Sequence, residues 1–131
     1  MLKKHAAWAT GLLFALALLI SPIAQAKHWV YLGSAHIDGK VDHDNIHVGG
    51  SERFQTVQLR VEGGAVEFQR VVVHFADGTQ EELAVRDRIR SGGKSHKFDL
   101  PGGRRAIDSV ELWYGKERWE NRPEVRLYAA R

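Results

Sequence analysis

From residue 27 onward, apolar and polar side chains alternate with a period of two, and glycine pairs interrupt the alternation at short intervals. The pattern is clearest where Val57, Leu59 and Val61 are separated by single polar residues. Successive side chains of a β-strand point to opposite faces, so each such segment predicts a strand with one buried face. No window after residue 26 carries apolar residues at helical spacing over three turns. The sequence therefore predicts an all-β fold, a single small antiparallel β-sandwich of about seven or eight strands, jelly-roll-like or immunoglobulin-like.

One predicted strand contains two apolar sets that a flat strand cannot bury on one face. Val66 and Phe68 share one parity, whereas Val71 and Val73 share the other. A shift of one residue moves every following side chain to the opposite face of the sheet. We therefore predict a β-bulge or a change of sheet near residues 69–70.

The first 26 residues have the regions of a secretory signal peptide. Lys3 and Lys4 make the start basic, and residues 6–20 form an almost unbroken apolar run that favours a helix. The run ends at Pro22 and is shorter than the roughly 20 apolar residues that a transmembrane helix needs. The sequence therefore predicts an N-terminal signal helix over residues 1–26.

The triplet Ala24-Gln25-Ala26 is typical of a signal-peptidase site, so we expect cleavage between Ala26 and Lys27. Residues 27–131 would then form one β-sandwich domain, periplasmic or secreted, that meets the membrane only during export.

Removal of the two N-terminal lysines leaves 17 of the 19 basic residues against 16 acidic ones, a formal charge of +1. This balance argues against nucleic-acid binding. The absence of cysteine excludes disulfides and thiolate metal sites.

Three Asp and three His lie within residues 36–47, the densest polar cluster of the chain. Imidazole and carboxylate groups bind zinc, manganese and calcium ions, so a divalent-metal site is one interpretation. The calcium-loop motif is absent, because a loop starting at Asp42 would have His47 where glycine is required. The other interpretation is a solvated loop whose carboxylates accept hydrogen bonds from turn amides. The candidate metal ligands are His36, Asp42, His43, Asp44 and His47.

Residues 86–105 hold seven basic and two acidic side chains. If the loops at Gly92-Gly93 and Gly102-Gly103 lie at the same end of the sandwich, they form a basic rim that includes Arg104 and Arg105. Such a rim would attract an anionic surface or an acidic glycan. The alternative is an ordinary solvated surface.

Aromatic side chains form the third candidate surface. Trp113 and Tyr128 have the parity opposite to that of the leucines beside them, so both are expected to face outward. If their strands pair, the rings form an exposed platform on which a sugar can stack. Alternatively, the loop at residues 119–123 covers them. The aromatic candidates are Trp29, Tyr31, Trp113, Trp119 and Tyr128.

Catalytic motifs are absent from the sequence. There is no G-x-S-x-G elbow and no cysteine nucleophile. Glu81 and Glu82 are neighbours on a predicted strand, so their carboxylates point to opposite faces. We therefore predict neither an enzyme nor a cofactor, although residues of a small hydrolase could still converge from separate loops.

Several segments together resemble a family of short secreted bacterial proteins, the domain-of-unknown-function family 2541. This resemblance covers nearly the whole mature chain and implies a β-rich periplasmic protein, with no activity, cofactor or site attached. The segments that carry it are Trp29–Gly33, Asp42–Ile46, Phe54–Leu59, Val71–Gly78, Asp99–Ile107, Val110–Tyr114 and Val125–Tyr128.

The preferred interpretation is an exported, monomeric β-sandwich that binds an envelope glycan, an anionic surface or another protein without catalysis. One alternative is a periplasmic metal-binding protein that uses the cluster at residues 36–47, and another is a small hydrolase. The candidate binding residues are Trp29, Arg104, Arg105, Trp113 and Tyr128.

Overall fold

The computed structural model describes residues 28–37, 42–115 and 122–131, which contain ten β-strands. The predicted signal helix and Trp119 lie outside the described residues. No helix with the length and apolar character of a membrane span occurs within the described ranges. In chain order the strands are β1 (Val30–His36), β2 (His43–His47), β3 (Arg53–Phe54), β4 (Thr56–Glu62), β5 (Val66–Phe75), β6 (Gln80–Leu83), β7 (Arg88–Ile89), β8 (Phe98–Asp99), β9 (Arg105–Tyr114) and β10 (Glu124–Ala130).

The strands form two antiparallel sheets. One has four strands in the order β1-β10-β4-β8, and the other has the order β2-β9-β5-β6, with β3 beside β9 and β7 beside β5. The prediction of an all-β, antiparallel sandwich is therefore confirmed. Seven of the ten strands have four or more residues. The other three, β3, β7 and β8, have two residues each and are too short to show an alternation in the sequence.

The core lies between the two sheets and consists of their inward-facing side chains. Leu127 of β10, Val71 of β5 and Leu112 of β9 are at most 1% exposed. Burial of each such side chain stabilises the fold by roughly 1.5–3 kcal/mol. The polar atom of the buried Tyr114 is satisfied, because its hydroxyl donates to Asp44 Oδ2 at 2.7 Å. With the apolar residues turned inward, the residues between them form the two outer surfaces.

The predicted bulge is present in β5. Phe68 and Arg70 pair with consecutive residues of β9, so Gln69 is an extra residue that interrupts the ladder. Val66 and Phe68 before the bulge are as fully buried as Val71 after it, although their parity differs. The bulge thus allows one long strand to bury both apolar sets.

Deletion of Gln69 is expected to abolish cooperative unfolding. Without the extra residue, either Val66 and Phe68 or Val71 and Val73 must turn to solvent, and exposing two such side chains costs about 3–6 kcal/mol. That cost is comparable with the total stability of a small domain. The matched control, Gln69→Ala, keeps the residue count and should change stability by less than about 0.5 kcal/mol. Urea unfolding followed by circular dichroism measures both, and a deletion variant with the wild-type midpoint would contradict the role given to the bulge.

Candidate functional site

The outer surface of the four-stranded sheet carries aromatic rings and cationic side chains, and we call it the aromatic face. The strand register places Tyr31 of β1 opposite Tyr128 of β10, and Arg126 of β10 between Ser34 and Arg60. These positions face outward because alternate residues of each strand fill the core. The aromatic face consists of Trp29, Tyr31, Arg60, Lys97, Arg126 and Tyr128.

The rings of this face lie close together. The centroids of Tyr31 and Tyr128 are 5.5 Å apart, and the two ring planes are inclined by 55°. Trp29 lies just before β1 and is half-buried. Lys97 extends toward Trp29 from the far side of the sheet, with its Nζ 5.9 Å from the ring centroid. Tyr31 remains 52% exposed, which leaves an aromatic surface open to solvent.

Arg60 stacks on this aromatic cluster, with its Cζ 3.9 Å from the ring centroid of Tyr128. Its Nε is buried and has no hydrogen-bond partner among the described residues. Arg126 differs, because its Nε and Nη2 donate to the two carboxylate oxygens of Glu124 at 3.1 and 3.3 Å. The hydrogen bond from Arg126 holds the pKa of Glu124 below its ordinary value. Arg60 therefore differs from Arg126 in having no carboxylate partner among the described residues.

Trp113 lies on the outer surface of the other sheet. The His43 ring is 4.6 Å from the Trp113 ring at an inclination of 30°, and the Arg70 guanidinium carbon is 4.8 Å from it. Arg70 also forms an ion pair with Glu82, with 3.2 Å between its Nε and the carboxylate oxygen. Neighbouring side chains thus contact the Trp113 ring from β2 and from β5, and the tryptophan is half-buried.

Trp113 and Tyr128 do not form one platform, because their strands do not pair. β9 lies between β2 and β5, whereas β10 lies between β1 and β4 in the other sheet. The two rings consequently lie on opposite outer surfaces of the sandwich. The structure instead brings Tyr128 together with Tyr31 and with Arg60.

A carboxylate bonded to two histidines lies beside Trp113. His43 Nε2 is 2.8 Å from one Glu111 carboxylate oxygen, and His74 Nε2 contacts the other oxygen. Burial disfavours ionisation of Glu111, but the hydrogen bonds from His43 and His74 outweigh it, so the pKa of Glu111 is lowered. The cluster joins β2, β9 and β5 across the sheet, which is a structural role.

The predicted metal ligands are not gathered at one point. His36 belongs to the four-stranded sheet, whereas His43 and His47 lie at the two ends of β2, roughly 13 Å apart. Asp44 accepts the hydroxyl of Tyr114, and Asp42 lies just before β2. Within the described ranges, no three His, Asp or Glu side chains are placed to hold a metal ion together. The structure therefore adds no support to the metal interpretation.

The two glycine loops lie at opposite ends of β4, so they do not form a single basic rim. The Gly92-Gly93 loop is hydrogen-bonded to Val61 near the end of β4, whereas β8, which leads into the Gly102-Gly103 loop, pairs with the first residues of β4. Arg104 is exposed. Arg105 is held in place by Asp77, with 3.2 Å between its Nη2 and the carboxylate oxygen.

Arg60 and Lys97 could not be assigned to the aromatic face from the sequence. Their positions depend on which strands pair, and no local pattern carries that information. A weak signal existed for Arg60, since it alternates with buried residues of β4 and therefore had to face outward.

A model of the family described as Domain of unknown function (DUF2541) matches residues 11–129. A comparison with curated proteins gave no match. Among solved structures, the fold is similar to Pseudomonas aeruginosa AlgX, with a TM-score of 0.53 and 11% sequence identity. The similar region covers 78% of this chain and 26% of the AlgX chain, so this chain spans about a quarter of AlgX. At this identity the similarity concerns the fold alone.

Two lysine-to-alanine mutants of CBM29-2, a family 29 carbohydrate binding module, are more distant. One has a TM-score of 0.38 and 13% identity, and covers 79% of this chain and 81% of its own. The other, complexed with cellulohexaose, has a TM-score of 0.38 and 12% identity, and covers 84% of both chains.

The stabilising effect of Glu111 is expected to disappear in acid. Because its pKa is lower in the folded than in the unfolded chain, the contribution is present above the ordinary value of 4.5 and is lost as the pH falls through the folded value. The difference in unfolding free energy between wild type and Glu111→Gln should therefore shrink as the pH is lowered from about 6 to about 3. Glu62→Gln on the other sheet is the control, measured by urea unfolding. A difference that stays constant over this range would contradict the assignment.

Proposed function

We propose that this chain, which belongs to the DUF2541 family, is an exported, non-catalytic module that binds carbohydrate of the cell envelope on its aromatic face. The observation that carries the proposal is the pairing of the exposed Tyr31 with Tyr128 on one outer surface. Trp29, just before β1, supplies a third ring, which Lys97 approaches. A row of partly exposed rings on a sheet offers several stacking positions to an extended chain of sugars.

Polar groups beside the rings supply the directional contacts that such binding needs. A sugar ring has an apolar C–H surface that packs on an aromatic ring, while its hydroxyl groups lie around the edge and accept hydrogen bonds. Arg60 lies over Tyr128 and has a buried Nε–H without an acceptor among the described residues. The terminal N–H groups of the Arg60 guanidinium are the donors that a sugar hydroxyl or carboxylate oxygen would meet on this face.

The groups around the rings favour binding over catalysis. The Ser34 hydroxyl hydrogen-bonds to Glu124, whose pKa is held low by its hydrogen bond with Arg126. The two oxygens of that carboxylate already accept hydrogen bonds from Arg126. Gln58 donates to the Ser95 carbonyl oxygen at 3.0 Å and has a structural role. These contacts support a surface that holds a ligand without transforming it.

Export is the second part of the proposal, and it rests on the sequence of residues 1–26. A module that binds envelope carbohydrate must reach the compartment where that carbohydrate lies. The proposed location is therefore the periplasm or the exterior of the cell, after cleavage between Ala26 and Lys27.

Tyr31→Ala and Tyr128→Ala are each expected to weaken carbohydrate binding about tenfold or more, because each removes one stacking surface. The matched control is Trp113→Ala, which removes an aromatic ring from the opposite surface and should leave binding unchanged. The probes are purified peptidoglycan sacculi in a pull-down assay and soluble neutral and uronate polysaccharides in affinity electrophoresis.

Two results would contradict the proposal for the aromatic face. One is that wild-type protein is retained by none of these polymers. The other is that Trp113→Ala weakens binding as much as Tyr31→Ala does. Tyr31 is half exposed, so its replacement should leave the unfolding midpoint close to the wild-type value, which serves as the check on folding.

Export is tested separately by the mass of the protein recovered from the periplasm of cells that express the full chain. The expected product begins at Lys27. Ala26→Lys, which places a charged residue in the small-x-small pattern, should block processing and leave the precursor in the membrane fraction. An unprocessed wild-type chain in the cytoplasm would contradict the proposed location.

A further inference from the structure

A second surface, separate from the aromatic face, is a pocket of ≈490 Å³ lined by three arginines. We call it the arginine pocket and define it by Arg53, Arg104 and Arg105. Arg53 comes from the short strand β3, which pairs with the beginning of β9 through Arg53 to Ala106 and Phe54 to Arg105. This pairing brings a cation from residue 53 beside two cations that lie about fifty residues later in the chain.

Arg105 is fixed in place and forms part of the wall. Its guanidinium carbon lies 3.5 Å from the ring centroid of Phe75, and its Nη1 donates to the Pro101 carbonyl oxygen at 3.2 Å. Its Nη2 contacts Thr79 Oγ1 and forms an ion pair with Asp77. These contacts hold the guanidinium in one orientation and use both of its terminal nitrogens, so Arg105 shapes the wall of the pocket.

Asp77 is a carboxylate of the pocket wall, and its charge is already balanced. Thr79 donates to Asp77 Oδ1 through its hydroxyl and through its backbone N–H, the latter at 2.9 Å, while Arg105 pairs with Oδ2. The hydrogen bond from the Thr79 hydroxyl is the largest cause that lowers the pKa of Asp77. Asp77 therefore compensates Arg105 and leaves the other two arginines of the pocket uncompensated.

Arg53 and Arg104 are exposed, and neither side chain has a hydrogen bond or ion pair with any of the described residues. The nearby carboxylate of Glu52 is used by Arg131. Two guanidinium groups thus face one concave surface without a carboxylate of their own. An anion bound in the pocket would offset this local positive charge.

We propose that the arginine pocket binds a phosphate group, with Arg53 and Arg104 as its ligands and Arg105 as part of the wall. Guanidinium groups donate paired N–H bonds to the oxygens of a phosphate. A volume of ≈490 Å³ is much larger than one phosphate ion. The inferred ligand is therefore a phosphate ester whose organic part fills the remaining space against Ala76 and Ala106.

The experiment titrates protein purified from cells that express the full chain with inorganic phosphate, glycerol 1-phosphate and acetate, and follows backbone amide chemical shifts. Saturable shifts at residues 102–106 and 53 are expected for both phosphates, and glycerol 1-phosphate should bind more tightly. In the double variant Arg53→Gln/Arg104→Gln, the affinity for both should fall about tenfold or more, since two charge-assisted contacts are lost. Both variant positions are exposed, so the unfolding midpoint should stay near the wild-type value.

The matched control is Arg86→Gln/Arg90→Gln. It removes the same two positive charges from exposed positions near the start of β5, whereas the arginine pocket lies near the end of that strand. Equal weakening in both double variants would show a general charge effect and overturn the pocket. Equal affinity for acetate would overturn the preference for phosphate, and tighter binding of inorganic phosphate would overturn the ester. Tyr31→Ala should retain phosphate binding, so the failure of this inference and the failure of the carbohydrate proposal are distinguishable.

Discussion

Burial of the inner faces of the two sheets determines where every other side chain of this molecule points. Leu127 and Leu112 lie in the core from opposite sheets, and each is flanked along its strand by residues that face outward. The aromatic face and the surface around Trp113 are therefore consequences of the same packing. Neither surface could be moved to the other side without exposing the core. Side chains carried by paired strands are positioned more precisely than side chains carried by loops.

The fold class and the bulge were predictable because each depends on the pattern of apolar and polar residues within a single strand. Alternation is visible within one strand, and the conflict between Phe68 and Val71 needs no knowledge of the neighbouring strands. Strand pairing is different, because it depends on contacts between distant segments. The separation of Trp113 from Tyr128 onto opposite surfaces belongs to this second class. The distance between the two glycine loops likewise depends on strand pairing.

For the candidate sites too, residues close together in the sequence were recognisable, whereas residues brought together by strand pairing were not. Residues 36–47 contain several His and Asp residues close together in the sequence. Successive side chains of β2 nevertheless point to opposite faces of the sheet. His43 hydrogen-bonds to Glu111, which lies 68 residues later in the sequence. Arg104 was visible as part of a basic segment. Arg53 was not, because it stands in a two-residue strand and comes near Arg104 only through the pairing of β3 with β9. Density in sequence is thus a poor guide to proximity in an antiparallel sandwich.

The stacking of Arg60 on Tyr128 has a consequence for affinity. A free arginine side chain has many rotamers, and immobilising it on a ligand costs about 0.5–1.5 kcal/mol. Here the guanidinium already lies 3.9 Å from the ring centroid, and Glu124 restrains Arg126 beside it. Much of that entropy is lost when the chain folds, before any ligand arrives. On the proposed carbohydrate surface, this early loss of entropy would help a shallow, open face to retain a weakly interacting polymer.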